Sequence, residues 1–160
     1  MKTLIALRHA KAANVPGLAD RERPLTDRGE RDAGRAGETL KRLGLSPGLV
    51  LCSPSARTRR TTELALAVLA PDALVRVEHD IYEAYPDELL ELVGRVDEEV
   101  STLLLVGHNP GVHEMVAGLT LTSVEEPFPP GSFAVIRTES WAGLGPGDGR
   151  LLSRWNPKDP

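Results

Sequence analysis

The chain has 160 residues, 41% of them hydrophobic and 26% charged, a balance typical of a globular protein and a length that predicts one domain over 1–160. A formal net charge of −4 argues against a nucleic-acid binder, which needs a clustered positive field. No apolar stretch approaches a membrane span, and the apolar start is cut short by Arg8 before it reaches signal-peptide length. Cys52 is the single cysteine, so an internal disulfide is excluded and a cytoplasmic location is expected.

Residues 3–7 form a branched apolar run that reads as a buried strand ending at Arg8-His9. Pro16, Gly17 and Pro24 punctuate a loop over 10–25. Thr26 then offers an N-cap to a helix from Asp27 to about Leu43, with Ala33, Ala36, Leu40 and Leu43 on one face and Gly44 as its stop. Residues 48–52 read as a second strand, and Ser53-Pro54 as the opening of a helix from about Ser55 to Leu69. A short strand is predicted at Leu74–Val77, and a helix from Pro86 to about Val96.

Ser101 to Val106 is the most apolar strand of the chain, ending at Gly107-His108. Asn109-Pro110-Gly111 turns it into a helix through about Leu119. Ser132–Thr138 is a further strand, and a glycine-rich loop at 143–149 leads to an edge strand near 150–155. Strands alternating with helices predict a three-layer α/β/α sandwich around a largely parallel sheet.

Ligands of such sheets bind at the carboxyl ends of the strands. Arg8-His9 follows the first strand, Ser53-Pro54-Ser55-Ala56-Arg57 the second, and Gly107-His108-Asn109 a later one. Phosphoryl transfer depends on positioning and charge neutralisation, and the planar, permanently charged fork of arginine supplies both. Arg8 and Arg57 therefore form a predicted clamp, with His108 and Asn109 as further substrate contacts. His9 is the candidate nucleophile: nearby cations lower a histidine's pKa and keep it neutral, able to attack phosphorus. Its second ring nitrogen needs an acceptor, for which a loop carbonyl suffices.

Singly, each of these residues has a plainer explanation. An Arg-His pair after a strand is usually a loop pair, Arg57 a solvated helix arginine, and His108 a structural histidine at a turn. Their joint placement at three strand ends favours function. Other motifs fail on spacing. His108 and His113 are not an i, i+4 zinc pair, and no metal or other cofactor is expected. Only four residues separate Cys52 from Arg57, one short of a cysteine phosphatase loop, so Cys52 reads as a buried apolar residue. No Walker or glycine-rich nucleotide fingerprint is present.

With these motifs in view, the chain resembles the histidine phosphatase superfamily, with its phosphoglycerate mutase-like fold, and best its small SixA-type branch. The family's Arg-His-Gly triplet stands here as Arg8-His9-Ala10, a departure at the third position. Its Ser-Pro-x-x-Arg element is Ser53-Pro54-Ser55-Ala56-Arg57, followed by Thr61, Thr62 and Glu63, and its second histidine is His108 in Val106-Gly107-His108-Asn109-Pro110-Gly111. Arg23-Pro24-Leu25-Thr26-Asp27-Arg28-Gly29 also matches. The resemblance covers residue 3 to about 140. It implies a covalent phosphohistidine mechanism and a catalytic set of His9, Arg8, Arg57 and His108. Glu83 is the nearest match to the acid of larger relatives, although it reads equally as a surface glutamate before the next helix. Glu114 and His113 are poorer candidates.

Without room for a cap insertion, the chain is expected to have a shallow, open site. The implied substrate is a phosphorylated protein, including a phosphohistidine domain, whose imidazole leaves more readily than an alkoxide and lessens the need for an acid. A small-molecule phosphomonoesterase and a non-catalytic phosphate-binding regulatory domain are the alternatives. The loop cations Lys11, Arg21 and Arg23 are expected to be solvated.

Overall fold

The computed structural model describes residues 1–158. In chain order its elements are β1 (Lys2–Arg8), α1 (Asp27–Arg42), β2 (Leu49–Cys52), α2 (Ala56–Leu69), β3 (Leu74–Val77), α3 (Pro86–Gly94), β4 (Thr102–Gly107), α4 (Gly111–Thr120), β5 (Phe133–Thr138) and β6 (Arg150–Trp155). Short 3₁₀ turns at Asp20–Glu22 and His79–Ile81 interrupt the connections. The strands form one sheet in the order β3-β2-β4-β1-β5-β6. Pairing is parallel from β3 to β1 and antiparallel where β5 meets β1 and β6. The expected three-layer α/β sandwich is the fold observed.

Alternation along the strands divides the interior in two. Leu4, Ala6, Leu51, Leu103 and Leu105 face α3 and α4, packing with Leu89, Val93, Val112 and Met115. Ile5, Leu7, Val50, Leu104 and Val106 face α1 and α2, packing with Ala36, Leu40, Leu66 and Leu69. Burial on both faces explains why these strands read as unbroken apolar runs. Cys52 lies in the second cluster, fully buried, as its residue type suggested. Close packing of α1 on α2 depends on Gly37, where a Cβ would stand 2.3 Å from the Ala65 carbonyl oxygen.

Local signals account for most boundaries. The Thr26 side chain accepts from the Gly29 N–H at 3.0 Å, capping α1 as predicted. Ser55 caps α2 through Thr58, which leaves Pro54 ahead of the cap rather than inside the first turn. α3 ends at Gly94, two residues earlier than the apolar pattern suggests. β3 pairs only with β2, and its Leu74, Val75 and Val77 are 41–61% exposed, so it is an edge strand. No helix among the described residues is long and apolar enough to cross a membrane.

Strand register sets the site. Arg8 lies opposite Gly107, and Cys52 opposite Val106, on the two flanks of β4. The ladder continues one step further: the His9 N–H donates to the Gly107 carbonyl at 3.1 Å and the Ser53 N–H to the Val106 carbonyl at 3.2 Å. The residues following β1, β2 and β4 therefore emerge side by side, at one edge of the sheet.

Candidate active site

The His9 ring is 8% exposed and lies 5.3 Å from the His108 ring, centroid to centroid. Its Nδ1 is 2.8 Å from the carbonyl oxygen of Ala10. A carbonyl only accepts, so Nδ1 carries the proton and Nε2 keeps its lone pair. Burial, with smaller contributions from His108, Arg8 and Arg57, lowers the His9 pKa to about 3, against the opposing pull of the Ala10 hydrogen bond. Burial and Arg57 hold His108 at about 4. Both rings are neutral at pH 7, which suits His9 to nucleophilic attack.

Ala10, the departure from the expected Arg-His-Gly triplet, is fully buried among Leu25 and Ala33. Its φ is not among the positive ones, so the backbone has no need of glycine and the methyl contributes packing. Its N–H donates to Thr61 Oγ1 at 3.0 Å, and that hydroxyl donates to the Arg57 carbonyl at 2.7 Å. The first turn of α2 is thus tied to the loop that holds His9.

The two arginines are held differently. Arg8 donates through Nη1 to the Phe128 carbonyl at 3.0 Å, while its buried Nε has no partner. Burial and the nearby charge of Arg57 lower its pKa. Asn109 Nδ2 donates to the same Phe128 carbonyl at 3.0 Å. Arg57 is 7% exposed, so it is far from the solvated helix arginine that its residue type alone suggests. It donates through Nη1 to the Asp20 carbonyl at 2.7 Å and through Nη2 to Asp20 Oδ2 at 3.0 Å. Arg57 Nη2 also reaches His108 Nδ1 at 3.4 Å, and Ser53 Oγ is 2.7 Å from His108 Nε2. That pattern gives His108 the Nε2–H tautomer, with the proton toward Ser53.

Beside His108 opens a cleft of about 440 Å³, lined among others by Asp20, Arg57, Tyr82, Glu83, Asn109 and Glu114. Glu83 is exposed, with φ at 58°, a left-handed conformation that a non-glycine residue holds only under constraint. The constraint is the turn at its back. Gly111 packs so closely against Ala84 that a Cβ there would stand 2.3 Å from the Ala84 carbonyl oxygen. Glu114 also lines the cleft, whereas His113 stacks on Phe128 at 5.5 Å.

Sequence reasoning missed Asp20 and Tyr82. The Tyr82 hydroxyl donates to Asp20 Oδ2, and Arg23 pairs with Oδ1 of the same carboxylate at 3.1 Å. Tyr82 and Arg57 together hold the Asp20 carboxyl well below its usual range. Of the loop cations, Arg21 lies over the Tyr82 ring at 4.8 Å and Arg23 bonds the Ala13 carbonyl, so neither is simply solvated. Among the described residues no three His, Cys, Asp or Glu side chains gather as a metal cluster would require.

The chain and its fold have known relatives. The profile of the histidine phosphatase superfamily (branch 1) matches residues 4–109. An uncharacterized protein of Mycobacterium tuberculosis is 36% identical over 162 residues, covering 95% of this chain and 100% of that protein. Among solved structures, SixA of Nakamurella multipartitia superposes with a TM-score of 0.85 at 32% identity, covering 98% of this chain and 96% of that one. SixA of Agrobacterium tumefaciens reaches 0.85 at 26% identity, covering 98% of each. The chain belongs to the histidine phosphatase superfamily and is similar over nearly its whole length to that family's SixA-type members.

Proposed function

We propose that the protein is a metal-independent phosphatase that forms a covalent intermediate on His9, and that its substrate is a phosphohistidine side chain of another protein. The observation that carries this reading is the His9–Ala10 hydrogen bond, which puts the proton on Nδ1 and leaves the Nε2 lone pair free on a ring 5.3 Å from that of His108. In the first step His9 Nε2 forms a bond to phosphorus while the bond from phosphorus to the leaving nitrogen breaks. The Arg8 and Arg57 guanidinium groups neutralise charge on the phosphoryl oxygens, with His108 as a further contact. In the second step water attacks phospho-His9, releasing orthophosphate and restoring the imidazole.

An imidazole leaving group needs little help from an acid, so the exposed position of Glu83 is compatible with this reading. Glu83 nonetheless lines the cleft into which a leaving group would project, and we assign it the acid role for ester substrates. A second reading, a small-molecule phosphomonoesterase, is favoured by the volume of that cleft.

The deciding experiment incubates wild type and His9→Ala with a phosphorylated histidine phosphotransfer protein and with p-nitrophenyl phosphate. Release of orthophosphate by wild type, lost in His9→Ala, is expected, together with an acid-labile phosphoenzyme in rapid-quench samples. Undiminished turnover by His9→Ala would sink the mechanism. Binding of phosphate without turnover of any substrate would point to a regulatory binding domain.

A further inference from the structure

We infer that the cleft beside His108 is a leaving-group subsite selecting leaving groups that carry a positive charge or N–H donors, and disfavouring carboxylated or further phosphorylated ones. The inference rests on the proposed phosphatase reading for the position of the phosphoryl group. Arg57 and His108 line the cleft and also flank His9, so a phosphoryl group held on Arg57 projects its substituent there. At about 440 Å³ the cleft is much larger than a phosphoryl group requires.

Its charge is mainly negative. Asp20, Glu83 and Glu114 contribute three carboxylates to the lining, against one arginine, Arg57, among the described residues, itself bonded to Asp20. Tyr82 and Tyr85 also line the cleft, and the Tyr82 ring already lies under a cation, Arg21, 4.8 Å from its centroid. A carboxylated leaving group would face like charges in a concave site, where fields are focused.

Binding of two isosteric phosphonates, which cannot be hydrolysed at the P–C bond, separates this inference from catalysis. Isothermal titration of the wild-type protein should show 2-aminoethylphosphonate binding at least about tenfold tighter than phosphonoacetate at low salt, with the ratio shrinking as salt screens the cleft. The double variant Glu83→Gln/Glu114→Gln should bring the two affinities within about threefold. Equal affinities, tighter binding of phosphonoacetate, or no measurable binding of 2-aminoethylphosphonate would overturn the inference. A preference undiminished in the double variant would overturn its assignment to this cleft. p-Nitrophenyl phosphate turnover is assayed in parallel: its absence, with the phosphonate preference intact, counts against the phosphatase reading alone.

Discussion

The neutral His9 makes a prediction about acid activity that an ordinary histidine would not meet. With a pKa of about 3, about 99% of His9 is neutral at pH 5, whereas an unperturbed imidazole near 6.5 would be only about 3% neutral. The two cases differ by about thirtyfold in rate at that pH. Because kcat/KM reports the free enzyme, its acidic limb should lie below pH 4 once the substrate's own second ionisation is divided out. The assay is p-nitrophenyl phosphate hydrolysis from pH 3.5 to 8, quenched in alkali before reading.

Bound phosphate adds negative charge beside His9 and favours its protonated form, so the limb of kcat should sit at higher pH than that of kcat/KM. Folding sets the lower bound of the measurement. The unfolded chain protonates both histidines near 6.5, whereas the native state resists until about 4 for His108 and about 3 for His9. Stability contributed by these groups is therefore present above pH 6.5 and lost progressively between 6.5 and 3, and circular dichroism at each pH keeps unfolding apart from titration. A kcat/KM limb between pH 6 and 7 in folded protein would refute the reasoning.

Other perturbations follow from single contacts. Arg57→Lys keeps the charge but loses the fork, and should lower kcat/KM by about 10–100-fold, the worth of one or two charge-assisted hydrogen bonds; a loss under threefold would remove Arg57 from the clamp. Asp20→Asn frees Arg57 from a half-exposed ion pair, and should tighten competitive inhibition by orthophosphate by up to about fivefold. Weaker inhibition would instead mean that the carboxylate orients the guanidinium. Thr61→Val strands the buried Ala10 N–H and should cost about 1–3 kcal/mol in urea unfolding. Gly37→Ala forces α1 away from α2 and should lower Tm by several degrees, for a cost of about 1–3 kcal/mol; an unchanged Tm would contradict the close approach.

The residues visible in the sequence are those whose position follows from a strand end. Arg8, His9 and His108 directly follow long apolar runs, and Arg57 stands two residues after its N-cap serine, so a parallel sheet brings them together without any knowledge of loop paths. Asp20 and Tyr82 had no such signal. Asp20 sits in a polar loop and Tyr82 at a turn after an edge strand, and only the folding of the 10–25 segment over the strand ends brings them to Arg57. The direction of Glu114 was hidden for a related reason: its place one turn into α4 is plain, but which way that turn faces depends on how Gly111 seats the helix against Ala84. The burial of Arg57 was equally invisible, because composition cannot distinguish a helix face turned to solvent from one turned to a loop.

The bonds from Arg57 to Asp20 make the loop a competitor for its own site. On the proposed phosphatase reading, an arriving phosphoryl group and the loop carboxylate would call on the same Nη2 hydrogens, coupling substrate capture and loop order with opposite sign. Thermodynamic reciprocity then requires that what loosens the loop strengthens anion binding, and that anion binding loosens the loop. Amide exchange across residues 18–23 should accordingly quicken, rather than slow, when the site fills. Occupancy would release a segment at the mouth of the site instead of clamping it shut.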